Sequence, residues 1–289
     1  MSRVDQSMDA MLEQASVQHL AALGYVDPWE VAAQRAAVQR EQHQKLKESE
    51  RLLEAGAVPA AIELLEAVVE ADPDWATPRH LLARAYFRAS RWADANAQLA
   101  WLEFHAVEHA ELSLLRAKLA VRGRDWDAAR EHAAYAKCLH EPLPAATLIV
   151  AEADYRLGAL LDAEAAYREV LSANGPRAVA LVGLAAIALR RGEWEESVDC
   201  SLQALEEEPR LALVHYRLGM ALVVGRRTAE ATTALETAAA VSPHLAGPYR
   251  WLAQLAAAEG DVELAGRRRQ QAAEVIARRR AARRSAGRQ

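Results

Sequence analysis

Small residues return along this chain every 34 positions, and the polar turn residues between them keep the same step. Repeats can be started at Gln42, Ala76, Ala110, Pro144, Ala178, Ala212 and Ala246. The eighth position then reads Ser49, Ala83, Ala117, Ala151, Ala185, Gly219 and Ala253. The twentieth reads Ala61, Ala95, Ala129, Ala163, Ser197, Ala231 and Ala265. Two helices approach to about 8 Å only where the side chains at their crossing are small, so these columns predict paired helices packed crossing on crossing. Turn residues separate the two columns: Gly56, Ser90, Gly123, Gly158, Gly192, Gly225 and Gly260, with Gly123 and Gly225 one place early on the grid. Trp92, Trp126 and Trp194 stand at position seventeen, just after the turn. Pro73, Pro209 and Pro243 close repeats, with Pro142 and Pro176 one place late. Few β-branched runs alternate with polar residues, so no sheet is expected. A fixed period of this size means stacked copies of one supersecondary unit, which favours a binding surface over a catalytic pocket.

The pattern resembles the tetratricopeptide-repeat family over roughly residues 42–279. The best-matched repeat has Leu218-Gly219 in its first helix, Ala231 and Leu235 in its second, and Pro243 at its close. The resemblance implies an all-α, right-handed α-solenoid of about seven helix-turn-helix repeats, whose concave face binds peptides or partner proteins. Glu48 and Arg116 depart from it, standing where the family prefers an apolar residue. Asp154 replaces an aromatic, with Tyr155 next door, and Arg269 replaces a bulky apolar residue.

Outside the repeats, residues 1–23 suggest an amphipathic helix ended by Gly24, with Met8, Met11, Leu12 and Leu20 among its apolar residues. Asp27-Pro28-Trp29-Glu30 reads as a helix start, with Asp as N-cap, Pro at the first helical position and Glu three residues after the cap. No Gly or Pro follows until Gly56, so one helix is expected from Pro28 to about Glu54, about 40 Å long. The expected organisation is a helical extension or cap over 1–41, a solenoid over 42–279 and a basic tail over 280–289. The stretch Leu20-Ala21-Ala22-Leu23-Gly24-Tyr25-Val26 is similar to the closing segment of sulfatase and alkaline-phosphatase-like hydrolases, some of which carry tetratricopeptide repeats. That likeness implies a regulatory module of such a hydrolase; a plain helix end with a glycine stop is the competing reading.

Charge is distributed unevenly. The net charge is −5, yet residues 266–289 hold nine arginines and one glutamate, which makes that segment +8 and the remainder −13. Such a segment serves as a solvated cap or contacts nucleic acid or an acidic surface, and it has no interleaved aromatic residue for base stacking. The start MSRVDQSMDA lacks a basic stretch followed by an apolar core, and the apolar run Leu211–Val224 is broken by His215, Tyr216 and Arg217. A cytoplasmic protein without a membrane contact is therefore expected. Cys138 and Cys200 are read as reduced thiols in apolar settings.

No catalytic constellation emerges. His105-Ala106-Val107-Glu108-His109 fits the H-x-x-E-H spacing of inverted zinc peptidases, but it falls where a helix should stop and brings no third ligand. There is no Gly-rich phosphate loop, and Glu206-Glu207-Glu208 reads as solvated surface. Neither a cofactor nor a metal is expected, and the chain is read as a non-enzyme. The family resemblance places first-helix positions two, five, nine and twelve on the concave side. Here those give Arg84, Phe87, Leu114, Lys118, Leu148, Glu152, Tyr155, Val182, Tyr216 and Met220 as partner-binding candidates, with Val121, Leu189 and Val223 alongside. An apolar lane with a Met and two Tyr suits a peptide with hydrophobic anchors. No paired Asn supports the grip that some relatives use on a chaperone C-terminus. The function expected is a protein-interaction scaffold; the alternatives are the hydrolase-associated module and RNA binding through the basic tail.

Overall fold

The computed structural model describes residues 28–286 except Glu141 and Asn174. The amphipathic segment 1–23, its Gly24 stop, the Asp27 cap, the hydrolase-like stretch 20–26 and the last three residues of the basic tail lie outside the described residues. Among the described residues there are fourteen helices and no strand. They are α1 (Pro28–Glu54), α2 (Val58–Ala71), α3 (Ala76–Arg88), α4 (Trp92–Phe104), α5 (Ala110–Gly123), α6 (Trp126–Leu139) and α7 (Pro144–Leu157). There follow α8 (Leu160–Ser172), α9 (Arg177–Arg191), α10 (Trp194–Glu207), α11 (Ala212–Val224), α12 (Thr228–Val241), α13 (Ala246–Ala258) and α14 (Val262–Ala286). The helix expected from Pro28 to about Glu54 is α1, and it runs unbroken across 41–42; α14 likewise runs unbroken across 279–280.

Each helical hairpin turns in the same way. A left-handed residue recurs at Gly56, Ser90, Arg124, Gly158, Gly192, Arg226 and Gly260, with φ between 58° and 91°. The grid is therefore strict at 34, and the early glycines are not the left-handed residues: Arg124 and Arg226, one place later, take that conformation. The next residue donates its N–H to the carbonyl five back in all seven turns, from Ala57 to Leu52 through Asp261 to Ala256. This is the bond of the Schellman motif, which satisfies a carbonyl orphaned at the helix end. Asp125 and Asp261 then cap the following helices through their carboxylates. Between hairpins, Pro73, Pro209 and Pro243 sit at the second place of turns closed by N–H bonds from Trp75, Leu211 and Leu245 to residues three back. Proline fits there because its fixed φ matches that position.

The chain divides into two compact units, Met1–Leu102 and Glu103–Gln289. In the first unit α1 packs on α2, α2 on α3, and α1 reaches α3. The α3–α4 hairpin is tied by Arg79, which lies over the Trp101 ring and donates to Gln98. In the second unit every helix from α5 to α14 packs on the next. The first helices of successive hairpins, α5, α7, α9, α11 and α13, also touch one another, whereas successive second helices make no comparable contact. The first helices of this unit thus form its closely spaced row.

All fourteen residues in the two small columns are buried. Ser197 Oγ on α10 donates to the Ala185 carbonyl on α9 at 2.8 Å, so the two columns meet at the crossing. A Cβ on Gly219 would lie 2.6 Å from Leu235 Cγ, and one on Gly183 only 2.2 Å from Tyr167 Cζ. These glycines are set by close approach, not by backbone conformation.

Two departures from the family pattern, Arg116 and Asp154, acquire partners. Arg116 is 2.8 Å from Glu103, and its guanidinium holds that carboxyl below the ordinary range. Asp154 is 2% exposed, with Arg130 Nε 2.8 Å from its Oδ1 in a geometry that falls short of a hydrogen bond. Burial raises the Asp154 pKa; Arg130 opposes the shift and Asp162 adds to it. One expectation is corrected: Cys138 is exposed rather than set in an apolar site, because its place on α6 faces away from the Ala129–Ala133–Ala136 packing stripe. Cys200 is partly buried, which pushes its thiol pKa up.

Candidate interaction surface

In the first unit, Arg84 is exposed on α3 and Phe87 is half-buried, meeting the Trp92 ring edge-on at 5.2 Å. The other candidates belong to the second unit. Leu114 lies half-buried against the Ala117, Ala133, Ala136 and Ala146 cluster, and Lys118 one turn on is exposed. Leu148 and Tyr155 rest on the cluster around Tyr167 and Val170 and stay partly open. Tyr216 leans into the space above Gly247, where a Cβ would come within 2.6 Å of its ring. Met220, on the same helix, is partly open and 4.0 Å from Arg217 Nη1.

Two of the sequence-selected residues are engaged internally. Val182 is 3% exposed among Leu181, Ala204 and Val214, so it packs between hairpins instead of facing open space. Glu152 accepts from Arg156 Nε at 2.7 Å and from the Tyr167 hydroxyl at 3.3 Å. Burial, then the Glu152 charge, pushes the Tyr167 phenol far above its usual range. Tyr167 is 3% exposed and acts as a neutral donor that fixes the carboxylate.

Sequence reading missed a set of cations in the same register. The thirteenth position is Arg88, Arg122, Arg156 and Arg190 in four successive repeats. Arg190 donates to the Tyr155 carbonyl at 2.7 Å and stands 5.1 Å from the Tyr155 ring. Arg156 lies 5.3 Å from the Trp126 ring and 5.9 Å from that of Tyr155. In the first unit Arg88 makes the equivalent bond to the Leu53 carbonyl. The 34-residue spacing was the available signal.

The H-x-x-E-H segment does not form a helical ligand pair. α4 ends at Phe104, Ala106 is left-handed at φ 53°, and the His109 ring caps α5 by accepting from the Glu111 N–H at 3.2 Å. Among the described residues no cluster of three His, Cys, Asp or Glu is arranged to hold a metal. No helix among them is long and apolar enough to cross a membrane.

Residues 52–119 match the tetratricopeptide repeat family. Comparison with proteins of curated function finds no match. A tetratricopeptide repeat protein from Parabacteroides merdae ATCC 43184 superposes with a TM-score of 0.68 at 18% identity, over 82% of this chain and 93% of that one. The APC/C hetero-tetramer Cut9-Hcn1 gives 0.65 at 14% identity; the match covers 78% of this chain and about half (48%) of that one. An IFIT1 monomeric mutant with Gppp-AAAA gives 0.60 at 15% identity, over 78% and 58%. At these identities the structural likenesses speak to the fold alone. Residues 52–119 thus match tetratricopeptide repeats, and the seven equally spaced turns and buried small columns carry the same helix-turn-helix fold through the described residues.

Proposed function

We propose that the chain is a non-catalytic scaffold whose second unit holds a peptide segment of a partner protein along its row of first helices. The supporting observation is the run of partly open apolar and aromatic residues on that row: Leu148, Tyr155, Leu189, Tyr216, Met220 and Val223. Tyrosines are favoured interface anchors because they bring large area at low conformational-entropy cost. A photo-crosslinking residue at Leu148 or Met220 should trap a partner. The same residue at Glu195, on the exposed side of α10, should not. Equal trapping at both places would reject the reading, as would unchanged partner recovery by a Tyr155→Ala/Tyr216→Ala variant.

A second reading is RNA binding through α14, on which Arg269, Arg278, Arg279 and Arg280 are exposed. The IFIT1 chain carries a capped oligonucleotide on a similar fold. Filter binding with Arg278→Gln/Arg279→Gln/Arg280→Gln tests it, since phosphate contacts of this kind should disappear with the charges. Equal retention of RNA by variant and parent would end that reading.

A further inference from the structure

We propose that the second unit selects acidic peptides, read by the arginine ladder Arg122, Arg156 and Arg190; this rests on the scaffold reading above. The ladder residues lie in the last turns of α5, α7 and α9 and are exposed. A cation at a helix C-terminus is favourable in itself. Yet α11 and α13 end with Val224 and Ala258 at the same repeat position, so the fold closes its first helices without arginine.

Two of the heads, those of Arg156 and Arg190, are also held in place. Arg190 is fixed by the Tyr155 carbonyl and stands beside the Tyr155 ring. Arg156 is fixed by Glu152 and by two aromatic rings. A guanidinium has five N–H donors, and each of these two directs one to a named acceptor, which leaves a fork for a carboxylate. Holding the fork in position before binding lowers the entropy cost of engaging it. Lys118, Arg217 and Arg250 add positive charge to the same row, and Arg217 Nε is buried without a hydrogen-bond partner among the described residues. Of the carboxylates on this row, Glu152 is tied down by Arg156 and Tyr167. A basic row on a chain whose residues before Gly266 sum to −13 attracts acidic segments locally.

Spacing sharpens the inference. Adjacent packed helices stand about 10 Å apart. A peptide in the extended polyproline-II conformation advances about 3.1 Å per residue and turns the same face to the row at about every third residue, so one ladder step matches about three residues. The occupant is an extended segment with Asp or Glu at about every third position and apolar side chains between them for Leu148, Leu189 and Met220. A polynucleotide fits less well, because aliphatic side chains and the Glu152 carboxylate share the row with the cations.

The test pans a random dodecapeptide phage library on the full chain and then measures fluorescein-labelled winners by anisotropy. Enriched peptides should carry acidic residues at about three-residue spacing. Their affinity should fall at least about tenfold in Arg156→Gln/Arg190→Gln and between 50 mM and 500 mM salt, since exposed pairs are screened. If that double variant loses helicity, Lys118→Glu serves instead, because Lys118 is exposed; a loss of about fivefold is then expected. Winners that need Tyr155 and Tyr216 but carry no acidic excess would overturn the ladder and leave the scaffold standing. Winners insensitive to both tyrosines would overturn both readings. A dodecameric oligouridylate that displaces the peptides at equal concentration would overturn selectivity for peptides.

Discussion

Replacing Gly183 by alanine sets two magnitudes against each other. Gly183 lies inside α9, where helix propensity alone favours alanine by about 1 kcal/mol. The added Cβ would stand 2.2, 2.4 and 2.5 Å from Tyr167 Cζ, Cε1 and Cε2. Carbon contacts settle near 3.5 Å, so the ring must retreat by more than about 1 Å. It has little room: Tyr167 is 3% exposed among Ala151, Ala163 and Ala180, and its hydroxyl is tied to Glu152. Overpacking of this kind costs about 1–3 kcal/mol, and a clash with three ring atoms belongs at the upper end. The net expectation is a loss of about 2 kcal/mol. Urea denaturation followed by circular dichroism measures it, with the slope tracked as well, because stacked repeats need not unfold in one step. Adding Tyr167→Leu shortens the obstructing side chain and should recover about half of the loss. A Gly183→Ala protein as stable as its parent, or more stable, would show that propensity wins and that the ring is not held as described.

The other predictions concern charge, turns and capping. Asp154 should make stability pH-dependent: its folded-state pKa is raised, so the folded chain takes up the proton before the unfolded one as pH falls toward 3.8. Stability relative to an Asp154→Asn variant should therefore rise on acidification through that window; a constant difference across pH would contradict the burial argument. Asp154→Leu at neutral pH should stabilise by about 1 kcal/mol, since the half-exposed Arg130 returns to water, and a measured loss would show that the ion pair is net favourable. In the turns, Arg124→Gly should stabilise by about 0.5–1 kcal/mol and Gly192→Ala should destabilise by about 1, both read from denaturation midpoints; equal effects would refute the left-handed assignment. His109→Ala should cost about 0.5–1 kcal/mol through loss of the α5 cap, while His109→Asn keeps a cap acceptor and should stay near the parent in thermal unfolding.

The repeat was legible because two requirements act on residue type directly. A helix crossing excludes large side chains, so Ala163 or Ser197 announces itself at any level of description, and both prove fully buried. Proline at the inter-hairpin turn and a glycine near the hairpin turn are local backbone demands. The reading failed where a glycine answers to a distant neighbour instead. Gly225 has an ordinary φ of −73°, and it is small because a Cβ would lie 2.6 Å from the Trp194 ring. The left-handed place falls to Arg226, a residue that no turn rule selects.

The candidate surface was legible only in part, for a related reason. A repeat position names the face of a helix, and that placed Tyr155, Tyr216 and Met220 where part of each side chain stays open. It does not say what the neighbouring hairpin brings to that face. Val182 is covered by Val214 and Ala204 from the next elements, and Glu152 is claimed by a tyrosine fifteen residues away on α8. The arginines show the converse. Read one at a time, each is an ordinary helix-end cation, and only their common position exposes a row. Packing forces recurrence at the small columns, where no other residue type fits. At the thirteenth position Val224 and Ala258 show that others do fit, so packing at a crossing does not force the recurrence of arginine there.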